Sequence, residues 1–382
     1  MARIEADWLT SEATHAVFAM LESAGHQVFA VGGCVRNALL GVPVKDIDLS
    51  TDARPDRVVG LAKSAGFQAV PTGIDHGTVT VLSDGAPYEI TTYRRDVETD
   101  GRRAVVAFSD RIEDDARRRD FTMNALYAGS DGVVRDPLGG LPDLLARRVR
   151  FIEDANARIR EDYLRSLRYF RFHAWYGDPA EGFDVDALDA IARNIDGLGG
   201  LSKERIGSEV KRLLQADDPA PALAGMRATG VLAAILPGAD DGALGPMIAL
   251  ETAAGVVPEA IRRLAVLGGE DVAGHLRLSR KEAAKLDALL QADGAPGEIG
   301  YRLGHDDGRD ALLVRAASLG MPLEPGALDD VKRGAAHVFP VKAADLMPDL
   351  EGPALGAALA KLERDWIASD FTLSRDALLS RA

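Results

Sequence analysis

Hydrophobic positions in the first third of the chain change period several times, and each change marks an expected element. Trp8, Leu9, Ala16, Met20 and Leu21 recur at roughly helical spacing, so a helix is expected over 7–25 with Gly25 as its stop. A short apolar run at 27–31 ends in Gly32-Gly33, an amphipathic stretch follows at 34–40, and Asp46-Ile47-Asp48 opens a second apolar run. Side chains alternate faces along a strand, which points Ile47 and Leu49 inward and sets Asp46 and Asp48 side by side. Pro55 begins a helix over 56–65, ended by Gly66, which is expected to cover one face of a sheet. The β-branched runs 76–81 and 88–94 flank a turn-rich stretch at 83–87, the pattern of a hairpin. Residues 97–106 are polar around a central glycine and read as a mobile loop.

Farther along the periodicity turns helical and stays so. Leu164, Leu167, Phe170 and Phe172 predict a helix across 161–172, on which Asp162 and Arg165, three apart, share one face. Beyond Phe183 no strand pattern recurs, and helices punctuated by Gly and Pro are expected at 186–194, 203–214, 220–230, 258–268, 280–292 and 353–368. The fold class is therefore α+β, a mixed front part followed by an all-α remainder.

At 382 residues the chain exceeds one compact core, and its 47% hydrophobic and 27% charged residues suit a globular protein of two or three domains. No apolar run approaches the roughly 20 residues of a membrane span, and MARIEADWLT does not read as a signal peptide, so no membrane partner and a cytoplasmic location are expected. Cys34, the single cysteine, excludes an intrachain disulfide and reads as a small packing residue. The net charge of −14 argues against indiscriminate coating of nucleic acid. Local basic groups at Arg102-Arg103, Arg117-Arg118-Arg119 and between Arg158 and Arg171 still leave room for a basic groove.

The acidic pair at Asp46 and Asp48 carries the first chemistry. Adjacent carboxylates resist joint ionisation unless a cation relieves them. Mg²⁺ takes one or two carboxylates and completes its shell with substrate phosphates. Gly32-Gly33, leading into a helix N-terminus, offers backbone N–H groups to a phosphate, with Arg36 nearby. A solvated Asp-x-Asp after an ordinary turn is the plainer reading of the same residues. Arg118 and Arg119 suit triphosphate oxygens because guanidinium is planar and forked.

Three strings, GGCVRNALLG with KDIDLST, RRDFTMNAL, and EDYLR, together resemble the signature of class II tRNA nucleotidyltransferases, the CCA-adding enzymes, and of the related bacterial poly(A) polymerases. The resemblance is specific from about Phe29 to Trp175. It implies a polymerase-beta-like nucleotidyltransferase head at 1–137, a helical neck at 138–215 that carries a template for the base and binds RNA, and a helical body and tail at 216–382 that bind tRNA. It implies Asp46 and Asp48 as the catalytic carboxylates and the ligands of Mg²⁺, with Glu89 as the candidate for a third carboxylate or else an edge-strand residue facing water. The nucleotide is then met by Gly32, Gly33, Arg36, Arg118, Arg119, Asn124 and Arg168, its ribose by Asp120, and its base by Asp162 and Arg165. A carboxylate accepts from the amine that C and A share while an arginine donates to their ring acceptors, and G and U present the wrong pattern.

The same resemblance places a nucleotide-switching loop near 100–103 and a hinge at 133–144, where Asp-Pro and Gly-Gly are also plain turn chemistry. His76 has either a structural or a phosphate-adjacent role. The expected partners are the tRNA 3′ acceptor end, ATP and CTP. Poly(A) polymerase and an A-adding or CC-adding enzyme share all these motifs, although no string of the type LLGRRFxLVHV marks the poly(A) branch here. An inactive RNA-binding scaffold is disfavoured because the acidic pair and template residues are all present. His305-Asp306 evokes a metal-binding phosphohydrolase motif, but LGHDDGRD reads as a Gly-rich loop.

Overall fold

The computed structural model describes residues 2–74, 77–100 and 103–381, with side chains described outside residue 72 and residues 96–106. The roles expected of His76 and of the 100–103 loop fall outside that description. Strands β1 (Val28–Val31), β2 (Ile47–Thr51), β3 (Gln68–Gly73), β4 (Thr78–Ser83) and β5 (Ala86–Thr92) belong to one sheet. After the separate β6 (Arg94–Asp100) and β7 (Arg103–Phe108), strands β8 (Tyr127–Ala128) and β9 (Val134–Arg135) complete it in the order β3-β4-β5-β2-β1-β8-β9. Among the described residues only β2 and β5 run parallel. β1 is buried throughout, consistent with its unbroken apolar run. The expected hairpin forms as β4 and β5 around Asp84-Gly85, both at positive φ (50° and 76°), which suits the right-handed twist of the strands.

Helices α1 (Asp7–Thr10) and α2 (Glu12–Glu22) replace the single helix expected over 7–25. Ser11 is extended and its hydroxyl accepts from the Thr14 amide at 3.3 Å, so a capping residue divides the apolar stripe. α3 (Gly33–Leu40) follows the Gly32 turn, and α4 (Pro55–Ser64) starts at its proline as expected. Of the stretch expected as a loop over 97–106, the described residues 97–100 and 103–106 are instead part of the two-stranded β6–β7 ladder.

The helices of this part are α5 (Ile112–Arg117), ahead of β8, then α6 (Leu141–Leu145), α7 (Ala155–Glu161) and α8 (Leu164–Tyr176) after β9. The helix expected across 161–172 is broken at Asp162, whose backbone is extended (φ −155°, ψ 104°). Its carboxylate accepts from the Leu164 amide at 3.1 Å, which ties it to the first residue of α8, and Asp162 lies outside that helix, so it does not share a helical face with Arg165. Phe121, Phe151, Tyr169 and Phe172 pack ring on ring beneath α8, with centroids 4.9–5.6 Å apart along the series. Then come α9 (Val185–Arg193) and α10 (Lys203–Leu214), and among the described residues no strand follows Phe183.

The chain divides into two compact units, residues 1–209 with 221–235, and residues 210–220 with 236–382. The second unit is helical. Its core holds Arg262 and Arg263, each 1% exposed, paired with the buried Glu251, and Arg262 also pairs with Asp310. Helices Pro296–Leu303 and Ala327–Ala335 meet at glycines. A Cβ on Gly300 would stand 2.0 Å from the Val331 carbonyl, and one on Gly334 would stand 1.9 Å from that of Gly297. His305 begins the helix His305–Leu319, not a Gly-rich loop, and pairs with Asp306 on the surface.

Candidate active site

Gly32 has φ +72° and ψ −119°, a conformation that an L side chain rarely adopts, and it is the residue from which α3 springs. A Cβ here would also lie 3.3 Å from Nη1 of Arg119. The turn thus presents the start of α3 and one guanidinium edge at the same point, as an anion requires. Arg118 and Arg119 are aimed by a residue that the motif reading passed over, the fully buried Asp115. Its Oδ1 accepts from Nε of Arg118 at 2.8 Å, and its Oδ2 accepts from Nη2 of Arg119 at 2.9 Å, the Tyr127 hydroxyl at 2.8 Å and the Ser50 hydroxyl at 3.1 Å. Burial alone would raise this carboxyl, but Arg119 and Arg118 hold it well below the usual carboxylate range. The spacing of Asp115, Arg118 and Arg119 at i, i+3 and i+4 was the available signal.

Asp46 is exposed just ahead of β2, and Asp48 is half-buried on it. Leu49 enters the core, whereas Ile47 is only partly covered. In the parallel pairing of β2 with β5, Asp48 stands opposite Glu89, which is exposed. β5 lies between β4 and β2, so Glu89 is not on an edge strand. Burial raises the Asp48 carboxyl, the charges of Glu89 and Asp46 add to the rise, and Arg119 opposes it. Three carboxylates therefore share one field. Among the described residues no group of three or more His, Cys, Asp or Glu is arranged to close around an ion. Hard oxygen donors in an open, electronegative pair fit a divalent ion that takes its remaining ligands from substrate and water. The Cys34 thiol behind them is buried beside the Val31 carbonyl, and burial pushes it up to about 11, which suits a packing residue.

Arg36 does not face the turn as an unengaged phosphate ligand. It is 6% exposed, and each of its nitrogens donates to a protein acceptor: Nη1 to Asn124 at 2.6 Å, Nε and Nη2 to Asn37 at 3.2 and 2.9 Å, and Nη2 to the Tyr176 hydroxyl at 2.8 Å. Asp120 is similarly committed. Its Oδ1 accepts from the Phe121 amide and from Asn124, both at 2.9 Å, and its Oδ2 from Nε and Nη2 of Arg168 at 2.8 and 2.5 Å. Burial opposes ionisation, yet the Arg168 charge and these donors hold the Asp120 carboxyl down at about 2.

The two expected template residues are held by different elements. Oδ2 of Asp162 accepts from Arg205 of α10 at 2.6 Å. Arg165 donates from Nη1 to Glu161 at 2.5 Å and to the Arg158 carbonyl at 3.0 Å, and from Nη2 to the Arg118 carbonyl at 3.1 Å. Glu209, 5% exposed on α10, accepts from Arg171 at 2.5 Å and lies 3.9 Å from Arg168. Arg205 and Glu209 lay within a helical pattern whose partners the sequence did not disclose.

Residues 28–150 match the family described as the poly A polymerase head domain, and residues 182–242 match a probable RNA- and SrmB-binding site of polymerase A. The mitochondrial CCA tRNA nucleotidyltransferase 1 of Mus musculus is 32% identical over 390 residues, spanning 97% of this chain and 90% of that protein. The CCA-adding enzyme of Geobacillus thermodenitrificans is 37% identical over 58% of this chain and 54% of its own. The Bacillus stearothermophilus CCA-adding enzyme, solved in complex with CTP, superposes with a TM-score of 0.73 at 27% identity over 97% of both chains. The Thermotoga maritima enzyme, solved with tRNA, shares the fold with a TM-score of 0.70 at 18% identity, over 100% of this chain and 98% of that one. No helix among the described residues is long and apolar enough to cross a membrane.

Proposed function

Because the chain belongs to the family of CCA tRNA nucleotidyltransferases, we propose that it builds or repairs the 3′-terminal CCA of tRNA without a nucleic-acid template, using CTP and ATP and releasing pyrophosphate. The observation that carries this reading is the near full-length likeness to the mouse enzyme, in a chain that keeps the acidic pair, the Gly-Gly turn and Asp162 with Arg165. Residues 1–137 act as the catalytic head, 138–215 as the neck and 216–382 as the part that holds tRNA.

Asp46 and Asp48 would hold the divalent metal, Mg²⁺ on this reading, with Glu89 adding negative charge across the strand pair. The metal, when bound, supplies a lowered pKa at the tRNA 3′-hydroxyl and charge stabilisation for the triphosphate and leaving pyrophosphate. The Gly32-Gly33 backbone and Arg119 bind phosphate oxygens, with Arg118 braced beside Arg119 on Asp115. Arg36 acts beneath the turn as a brace and not as a direct phosphate ligand. Asp120 keeps its negative charge at neutral pH through Arg168 and can accept a ribose hydroxyl only by sharing an oxygen already bonded. Asp162 accepts from the amine common to C and A, and Arg165 donates to the ring acceptors of the base.

The test uses purified protein, Mg²⁺ and tRNA transcripts ending at the discriminator base, at C and at CC, each supplied with CTP, ATP or both. Products that gain only the missing residues and then stop establish CCA synthesis. Long A tails from ATP alone, on tRNA and on unrelated RNA, would assign poly(A) polymerase instead.

A further inference from the structure

We infer that Tyr176, at the far end of α8 from the template residues, is a positioning residue that acts through Arg36 to fix the spacing between the base-reading end of α8 and the phosphate turn. This rests on the proposed nucleotidyltransfer reading. The contacts that carry it form a closed ring. From α8, Arg168 donates to Asp120 at 2.5 and 2.8 Å, and Asn124 donates to Asp120 at 2.9 Å. Arg36 donates to Asn124 at 2.6 Å and to the Tyr176 hydroxyl at 2.8 Å, which returns the path to α8 two turns beyond its start.

The interior of the ring is aromatic. The Tyr176 face lies 3.9 Å from the Arg36 guanidinium carbon, so one residue engages Arg36 through both its hydroxyl and its ring. Phe172 is 4% exposed and has the guanidinium carbons of Arg36, Arg168 and Arg171 at 5.1, 5.3 and 4.6 Å from its centroid. Such a core leaves the polar members few alternative partners, because an unmade bond there would strand a buried charge. The turn is in direct touch with the ring: a Cβ on Gly33 would lie 3.8 Å from Nη2 of Arg36, the atom that donates to Tyr176.

The consequence for chemistry is geometric. A nucleoside triphosphate bound by its phosphates at Gly32-Gly33 and read by its base at Asp162 and Arg165 measures the distance between α3 and the start of α8. The ring sets that distance through two separate fastenings on α8. With the Tyr176 fastening loosened, α8 is free to shift against α3, and a wrongly patterned base gains room to be accepted.

Tyr176→Phe removes only the hydroxyl and keeps the ring over Arg36. Incorporation of CTP, ATP, UTP and GTP is measured singly on tRNA ending at the discriminator base and at CC, together with the melting temperature of each protein. The expected result is a rise in KM for CTP and ATP and a loss of about tenfold in discrimination against UTP and GTP, the scale of losing one hydrogen bond to a charged group. Tyr176→Leu, which also removes the ring, is expected to go further in the same direction. Unchanged KM and discrimination in both variants would overturn the inference, as would a lower melting temperature with discrimination intact. Failure of the wild-type protein to add C or A to tRNA would instead sink the nucleotidyltransfer reading itself, so the two failures are distinct.

Discussion

Asp46 and Asp115 show how differently two carboxylates can serve one site. Asp46 is exposed and open to a ligand, whereas Asp115 is fully buried and spends both oxygens on Arg118, Arg119, Tyr127 and Ser50. Asp46→Ala is expected to lower incorporation of both C and A by about 100- to 1,000-fold or more, the scale of removing one preorganised charge-stabilising group. Binding of tRNA, measured by filter retention, should stay close to wild type, and retained turnover would remove Asp46 from the metal site. Asp120 supplies a pH prediction. Its folded pKa of about 2 lies below the ordinary 3.8, so its contribution to stability is present above pH 4 and is lost as the pH falls toward 2. Wild-type protein should lose about 2 kcal/mol more across that interval than Asp120→Asn in urea titrations. The placement of Gly32 at a turn before a helix and of Asp48 at the head of a strand, with Asp46 just ahead of it, was legible from residue type and immediate neighbours. Arg36 was not, because the Tyr176 that engages it is 140 positions away.

Elements were legible where one periodicity ran unbroken and obscure where a single polar residue divided it. Ser11 splits one expected helix and Asp162 another, each by turning its side chain onto a backbone amide two or three residues on. The second break matters most, since it frees Asp162 from the helical face that Arg165 occupies and leaves it to Arg205. The β6–β7 ladder was hidden by polarity, which pointed to a loop. In the helical half, glycines that looked like punctuation are contact points. Gly300 and Gly334 let two helices touch backbone to backbone, and no side chain fits between them. Gly300→Ala should therefore cost about 3 kcal/mol or more, because the Val331 carbonyl is main chain and has no rotamer to yield. Thermal unfolding of the variant checks this, and a change under about 0.5 kcal/mol, ordinary for a surface substitution, would show that the helices separate at little cost.

At the scale of the whole chain, every residue of the proposed nucleotide site belongs to the unit made of 1–209 and 221–235, while the buried ion network around Glu251 belongs to the other. Glu251 holds Arg262 at 2.7 Å and Arg263 at 2.6 Å, and Arg263 also donates to the carbonyls of Leu214 and Ala216 at 2.7 and 2.5 Å. Removing the acid takes a counter-charge from each of two guanidiniums that are 1% exposed, although Arg262 keeps Asp310, and breaking buried pairs in this way costs about 3–5 kcal/mol. Glu251→Ala is therefore expected to lower the unfolding transition of the second unit while CTP affinity, measured by calorimetry below that transition, stays near wild type. If the second unit holds tRNA, the variant should raise KM for tRNA more than KM for CTP as the temperature approaches the lowered transition. Equal rises in both constants would mean that the ion network supports the nucleotide site as well, and that the two units do not divide the work of binding tRNA and reading the nucleotide.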